Sequence, residues 1–178
     1  PLDGQRLADI TREQRCDELE FYYPLASLTA DALKALLARH RFGHGSLAND
    51  WVERLQFETA EGYLHGFIDL VFESKGRYFV VDYKSNDLGP RDEDYTPERL
   101  LATMVQEHYL LQYLIYTLAV HRYLRLRLPD YDYEQHFGGV YYLFLRGMNP
   151  VSKTPSGIYF HRPSAALVED LDRLIDGS

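Results

Sequence analysis

Residues 62–88, GYLHGFIDLVFESKGRYFVVDYKSNDL, constrain this chain more than any other stretch. Two short runs, Ile68-Asp69-Leu70-Val71-Phe72 and Phe79-Val80-Val81-Asp82-Tyr83-Lys84, alternate β-branched and aromatic residues on either side of Lys75-Gly76. That pattern predicts a β-hairpin closed by a two-residue loop. Counting outward from the loop, Phe72 faces Phe79, Leu70 faces Val81 and Ile68 faces Tyr83, which makes one wholly apolar face. The same register sets Asp69 against Asp82 on the other face, with Lys84 one pleat beyond. A slip by one residue would split the apolar face, so hydrophobic matching selects this register.

Facing residues of an antiparallel pair have Cβ atoms about 4.5–5.5 Å apart. Two ionised carboxylates at that spacing repel each other unless a divalent cation sits between them. Mg²⁺ suits the place, because it prefers oxygen ligands and is commonly held by one or two carboxylates together with substrate phosphate. Lys84 is placed to reach toward a scissile phosphate or an attacking water. Val71 and Val80 share the acidic face, so that face is expected to be at least partly covered, where an unpaired acid would be costly.

The ordered motifs Gly66-Phe67-Ile68-Asp69, Val81-Asp82-Tyr83-Lys84-Ser85-Asn86 and Gln112-Tyr113-Leu114-Ile115-Tyr116 resemble the RecB-type branch of the PD-(D/E)XK nucleases, and the RecB nuclease domain in particular. Glu20-Phe21-Tyr22-Tyr23-Pro24 is similar to that family's opening strand, residues 116–124 to its long helix, and residues 131–147 to its last core strand and approach. The resemblance implies metal-dependent hydrolysis of DNA phosphodiesters. Asp69 and Asp82 would be metal carboxylates, Tyr83 would offer its backbone carbonyl, and Lys84 would be the catalytic lysine. Mg²⁺ is the implied ion, with Mn²⁺ a substitute and Ca²⁺ a ligand that does not support cleavage. Gln112 and Tyr116 match the family's Q-x-x-x-Y element, whose spacing puts both on one helix face, to touch DNA or brace the site. Two nearby carboxylates favour a charged lysine that positions and stabilises over one that acts as a base. The implied partners are single-stranded DNA, a helicase portion of the same chain, RecC- and RecD-like subunits and a RecA-type recombinase, all in a bacterial cytoplasm.

One departure from the family stands out. Its helical segment ahead of the opening strand, which carries a metal-completing histidine, has no counterpart before Leu19 here. Residues 1–178 are therefore read as a single RecB-like nuclease domain, the C-terminal piece of a longer helicase-nuclease with weak activity on its own. His40 and His44 lie among glycines and are read as surface loop histidines rather than replacements.

Hydrophobic residues make up 46% of 178, with 15 Tyr and 9 Phe, enough for one domain with a real core. No apolar run approaches the roughly 20 residues of a membrane span. Cys16 is the single cysteine, so no internal disulfide can form, as fits a reducing compartment. The net charge of −8 does not suit unaided capture of DNA, which normally uses a basic surface. Arg122, Arg125 and Arg127 form a modest cluster that either meets DNA or solvates a helix end. Two other readings stand beside the nuclease: a nuclease-like DNA-guiding or recombinase-docking module, and a phosphoesterase for small substrates. The second would need a Gly-rich phosphate loop or a nucleophile elbow, and the sequence has neither.

Along the chain, residues 1–16 are expected to be loose, and a strand near 18–23 to stop at Pro24. Thr29 or Ser27 would cap a helix over Asp31 to Arg39, ended by Gly43 and Gly45. Asn86 to Pro97 reads as a long loop that moves with substrate. One amphipathic helix is expected from Glu98 to Leu128, then a strand from Val140 to Arg146, a loop from Gly147 to Pro150 and a terminal helix from Ser164 to Asp176. The sum is an α/β fold of restriction-endonuclease type: a central mixed β-sheet whose hairpin carries the acidic site, flanked by helices.

Overall fold

The computed structural model describes residues 6–42, 51–149 and 156–177. Five strands form one sheet in the order β1 (Arg15–Leu28), β2 (Ala60–Ser74), β3 (Arg77–Lys84), β4 (Phe137–Phe144) and β5 (Ile158–His161). Neighbours are antiparallel except β3 and β4, which run parallel. A parallel pair needs a long crossover. Here the crossover carries α2 (Pro97–Gln106) and α3 (Tyr109–Arg127), while α1 (Ala30–Arg39) follows β1 and α4 (Ala165–Asp176) ends the chain. The expected α/β class with a mixed sheet and flanking helices holds.

The β2–β3 hairpin closes as read. Lys75 and Gly76 both take positive φ, 54° and 76°, the conformation whose twist matches the flanking strands. Leu70 pairs with Val81, Val71 with Val80 and Phe72 with Phe79. The ladder stops there, however, and neither Ile68 with Tyr83 nor Asp69 with Asp82 belongs to it. The faces change over at the same point. Ile68 packs with Val71 and Val80 in the large core that α1 to α4 share, whereas Leu70, Phe72, Phe79 and Val81 form a smaller cluster on the opposite face. The irregularity is shared with β1, where Glu18 has a φ of 53° and drops out of the pairing between Asp17 and Leu19. Ile68 therefore belongs with the acidic face, and that face is the more deeply covered of the two.

Several boundaries differ from expectation for identifiable reasons. β1 runs straight through Pro24, which edge position allows because an edge strand can do without one N–H. Residues 6–14 are not loose. They form two short 3₁₀ turns that press Ile10, 5% exposed, onto the smaller cluster. The single long helix is two, broken at His108, which is left-handed at φ 57°. Nor is α3 amphipathic: buried residues occur around most of its circumference, because it lies between the sheet and its neighbouring helices. The loop after β3 is pinned by a 3₁₀ turn, Asp92–Tyr95. The Tyr95 ring leaves no room for a side chain at Gly147, and its hydroxyl accepts from Leu88 N–H. β4 starts earlier than read, at Phe137, and β5 is an addition. Thr29 and Ser164 cap α1 and α4, each accepting a backbone N–H. Gly43, His44, Gly45 and Pro150 lie outside the described residues.

Candidate active site

Where the hairpin ladder ends, the strands part and the acidic residues sit in the opening. Alternation along β3 sends Val80 and Asp82 to the helix-covered face, with Lys84 following. Asp82 is 3% exposed. Its Oδ2 lies 2.7 Å from Lys84 Nζ, but no donor is aligned for a hydrogen bond to that oxygen. Burial pushes the Asp82 carboxyl above its ordinary value; Lys84 pulls it back and the Asp69 charge lifts it further. Asp69 does not face Asp82 across a ladder. Instead its Oδ2 accepts the Tyr83 backbone N–H at 2.8 Å, which bridges the parted strands. The Tyr83 side chain is half-exposed, and burial followed by the Asp17 and Asp69 charges raises its phenol.

α3 closes the site from above. Lys84 Nζ donates to Gln112 Oε1 at 2.9 Å, Gln112 Nε2 donates to the Tyr116 hydroxyl at 2.8 Å, and the Tyr142 hydroxyl donates to Gln112 Oε1 at 3.2 Å. Burial, and then the charge on Asp82, pushes the Tyr116 phenol up to about 12. The structure thus brings Asp82, Lys84, Gln112 and Tyr116 into one contact chain, with Asp69 joined through Tyr83. Two further residues escaped the sequence reading. Tyr142 stands beside Asp82 in the parallel ladder, a neighbour that only the β3–β4 crossover creates. The Tyr109 ring lies 3.8 Å from Lys84 Nζ. Its signal was present in the sequence: Tyr109, Gln112 and Tyr116 share one helical stripe.

The donor set fits a small, hard cation. Asp82 Oδ2 is a buried carboxylate oxygen with unused acceptor capacity, and Asp69 keeps a second carboxylate nearby. Among the described residues no group of three or more His, Cys, Asp or Glu gathers to hold a metal. Two carboxylates are the kind of sparse protein ligand set that Mg²⁺ completes with water and substrate oxygens.

Other candidates turn out to be structural. Arg122 reaches Asp172 and Asp176, and Arg125 reaches Asp172 at 2.8 Å, so these arginines tie α3 to α4. Arg127 lies over the Tyr123 ring. His40 Nε2 is 2.7 Å from Asp170 Oδ2 and links the end of α1 to α4. No helix among the described residues is long and apolar enough to cross a membrane.

A profile of the PD-(D/E)XK nuclease superfamily matches residues 2–176. The RecBCD enzyme subunit RecB of Haemophilus influenzae is 44% identical over 171 residues, which is 95% of this chain and 13% of that protein. The subunit of the same name from Escherichia coli K12 is 44% identical over 175 residues, 98% of this chain and 14% of the relative. That of Mycobacterium tuberculosis H37Rv is 39% identical over 190 residues, covering 96% and 17%. The chain therefore spans about one seventh of the first two relatives. With a family match that runs nearly end to end over a hairpin presenting Asp69, Asp82 and Lys84, the chain belongs to the PD-(D/E)XK nuclease superfamily.

Proposed function

We propose that this chain is a divalent-metal-dependent DNA nuclease that hydrolyses phosphodiester bonds, the nuclease domain of a RecBCD-type helicase-nuclease acting in double-strand break repair and recombination. The observation that carries this reading is the Lys84 ammonium, held between the buried Asp82 carboxylate and Gln112 and two residues from the acid itself. PD-(D/E)XK nucleases generally use divalent metal ions. Asp69, Asp82 and the Tyr83 carbonyl would hold Mg²⁺, with Mn²⁺ able to replace it and Ca²⁺ able to bind without cleavage. When bound, such an ion polarises a phosphoryl oxygen and lowers the pKa of water.

The protein's own groups do the rest. Lys84, held beside Asp82 and aimed by Gln112, stabilises negative charge as it builds on the phosphate. Gln112 holds Lys84 on one side and Tyr116 on the other, so the Q-x-x-x-Y element braces the lysine. The substrate in this reading is single-stranded DNA. With a net charge of −8, the domain depends on a helicase portion and on RecC- and RecD-like subunits to deliver the strand. The setting is a bacterial cytoplasm.

A second reading makes the domain a DNA-guiding or recombinase-docking module without activity of its own. It draws on a row of exposed rings across β1 and β2. Tyr63 stacks on Tyr22 at 4.6 Å, Tyr22 meets His65 at 5.8 Å, and His65 meets Phe67 at 5.4 Å. Exposed contiguous apolar surface often marks an interface, here with a recombinase of the RecA type.

Hydrolysis of labelled single-stranded DNA in Mg²⁺ or Mn²⁺ separates the two. Cleavage by the chain that Asp82→Ala abolishes is the expected outcome. A folded chain, tested also with upstream residues added, that cuts in neither metal hands the domain to the docking reading.

A further inference from the structure

Lys84 Nζ has three N–H donors and no acceptor. One side of the ammonium faces Asp82 Oδ2 at 2.7 Å and another donates to Gln112 Oε1 at 2.9 Å. The Tyr109 ring covers a further side, its centroid 3.8 Å away, and the Tyr142 ring lies 5.2 Å off. The two rings are nearly parallel, 6.0 Å apart at 26°. Only 11% of the Lys84 side chain is exposed, which places this contact in the desolvated range where cation–π attraction is strongest. Tyr109 is itself fixed. Its hydroxyl donates to Asn86 Oδ1 at 3.2 Å, and the left-handed His108 turns the chain so that α3 starts with Tyr109 over the lysine.

Taking the nuclease reading as its basis, we propose that Tyr109 is a positioning residue that keeps the Lys84 ammonium in place while Asp82 serves the cation. Asp82 carries two duties in this site, as partner of Lys84 and as a cation ligand. As the carboxylate is drawn toward a divalent ion, its hold on Lys84 weakens. Gln112 Oε1 is then the lysine's one remaining hydrogen-bond partner among the described residues, and a long flexible side chain tethered at a single point is free to swing. A second carboxylate could hold the ammonium, but it would also compete for the cation. The face of a tyrosine ring attracts the ammonium, accepts no proton from it and offers the metal no ligand atom. With the neutral Gln112 on another side, Tyr109 therefore supplies a partner that leaves both charges in use.

The test replaces Tyr109 by Leu, by Phe, and by phenylalanines carrying one, two and three ring fluorines, which drain the ring's negative face while nearly keeping its shape. Cleavage of single-stranded DNA in Mg²⁺ is measured, together with the NMR shift of the Lys84 ε-methylene protons with Ca²⁺ present. Tyr109→Phe should stay within about twofold of the parent, and Tyr109→Leu should lose about tenfold in kcat at little-changed KM, a size that a desolvated cation–π contact can supply. Each added fluorine should lower kcat by a further step. The Lys84 protons should sit upfield in the parent and move downfield in Tyr109→Leu. A flat fluorine series, or equal kcat for Phe and Leu with Lys84 unshifted, overturns the proposal. If Tyr109→Leu does not fold, the fluorine series decides alone. Asp82→Asn and Lys84→Met run beside the series separate the two layers. If these cut normally, the nuclease reading of the site fails; if they are inactive while the Tyr109 series is flat, only the positioning role fails.

Discussion

At the scale of single residues, the site is a compromise between burial and charge. Asp82 is raised first by burial, against the pull of Lys84. A raised carboxyl means that the folded chain keeps its proton in a pH window where the unfolded chain has lost it. Without a cation, folding stability should therefore fall as pH rises from the ordinary value of 3.8 through the raised one. Tm measured against pH should show that slope in the parent and lose it in Asp82→Asn. Added Mg²⁺ should raise Tm only on the alkaline side of the window, where the carboxylate is charged. Gln112 offers a second check. It receives Lys84 and Tyr142 and donates to Tyr116. In Gln112→Leu a buried Tyr142 hydroxyl and the lysine lose their acceptor, which should cost about 2 kcal/mol in urea unfolding.

At the scale of elements, two joints decide where the site residues point. The hairpin turn fixes the register, and its second residue, Gly76, sits at φ 76°. Gly76→Ala should lower stability by about 1 kcal/mol through left-handed strain while leaving the strand pairing intact by amide hydrogen exchange. The other joint is the clasp of α3 to α4. Burial alone would raise Asp172, but hydrogen bonds and charge from Arg122 and Arg125 outweigh it and hold the carboxyl below its ordinary value. A depressed carboxyl stabilises the fold above the ordinary 3.8 and loses that contribution as pH falls through the lowered value. Asp172→Ala leaves Arg122, whose side chain is only 13% exposed, with Asp176 as its remaining carboxylate, and the lost charge-assisted hydrogen bonds should cost about 2 kcal/mol at neutral pH. The difference from the parent should shrink in acid, and chemical unfolding at two pH values reads it directly.

At the scale of the whole molecule, the sheet has two covered faces made in different ways. The helices α1 to α4 and shorter helical turns bury one face, and the 3₁₀ segment ahead of β1 roofs part of the other, with Ile10 and Leu7 against Phe72, Phe79 and Tyr141. Removing residues 1–14 should bare that second cluster, raise binding of a hydrophobic dye and lower Tm, with the α3 side of the site unchanged. The positions of Asp82 and Lys84 depend on the larger core instead, because Val80 beside them and Tyr142 across the ladder are fully buried.

The linear sequence by itself determined the hairpin, its register near the turn, a helix capped by Thr29 or Ser27, a terminal helix beginning near Ser164, and the grouping of Gln112 with Tyr116. Each of these rests on interactions between residues close in the chain, where turn chemistry and periodicity act directly. The same local logic failed where distant segments compete for one residue. Asp69 left the pairing for the Tyr83 N–H, Ile68 changed face beside the Glu18 distortion, and His108 broke a helix whose pattern reads as continuous. Tertiary structure alone decided that Tyr142 would stand beside Asp82, that Tyr109 would cover Lys84, and that Arg122 and Arg125 of α3 would pair with acids of α4. The physical reason is the same in each case. A parallel crossover and a packed helix create neighbours that no spacing along the chain encodes, and burial then sets the charges those neighbours carry.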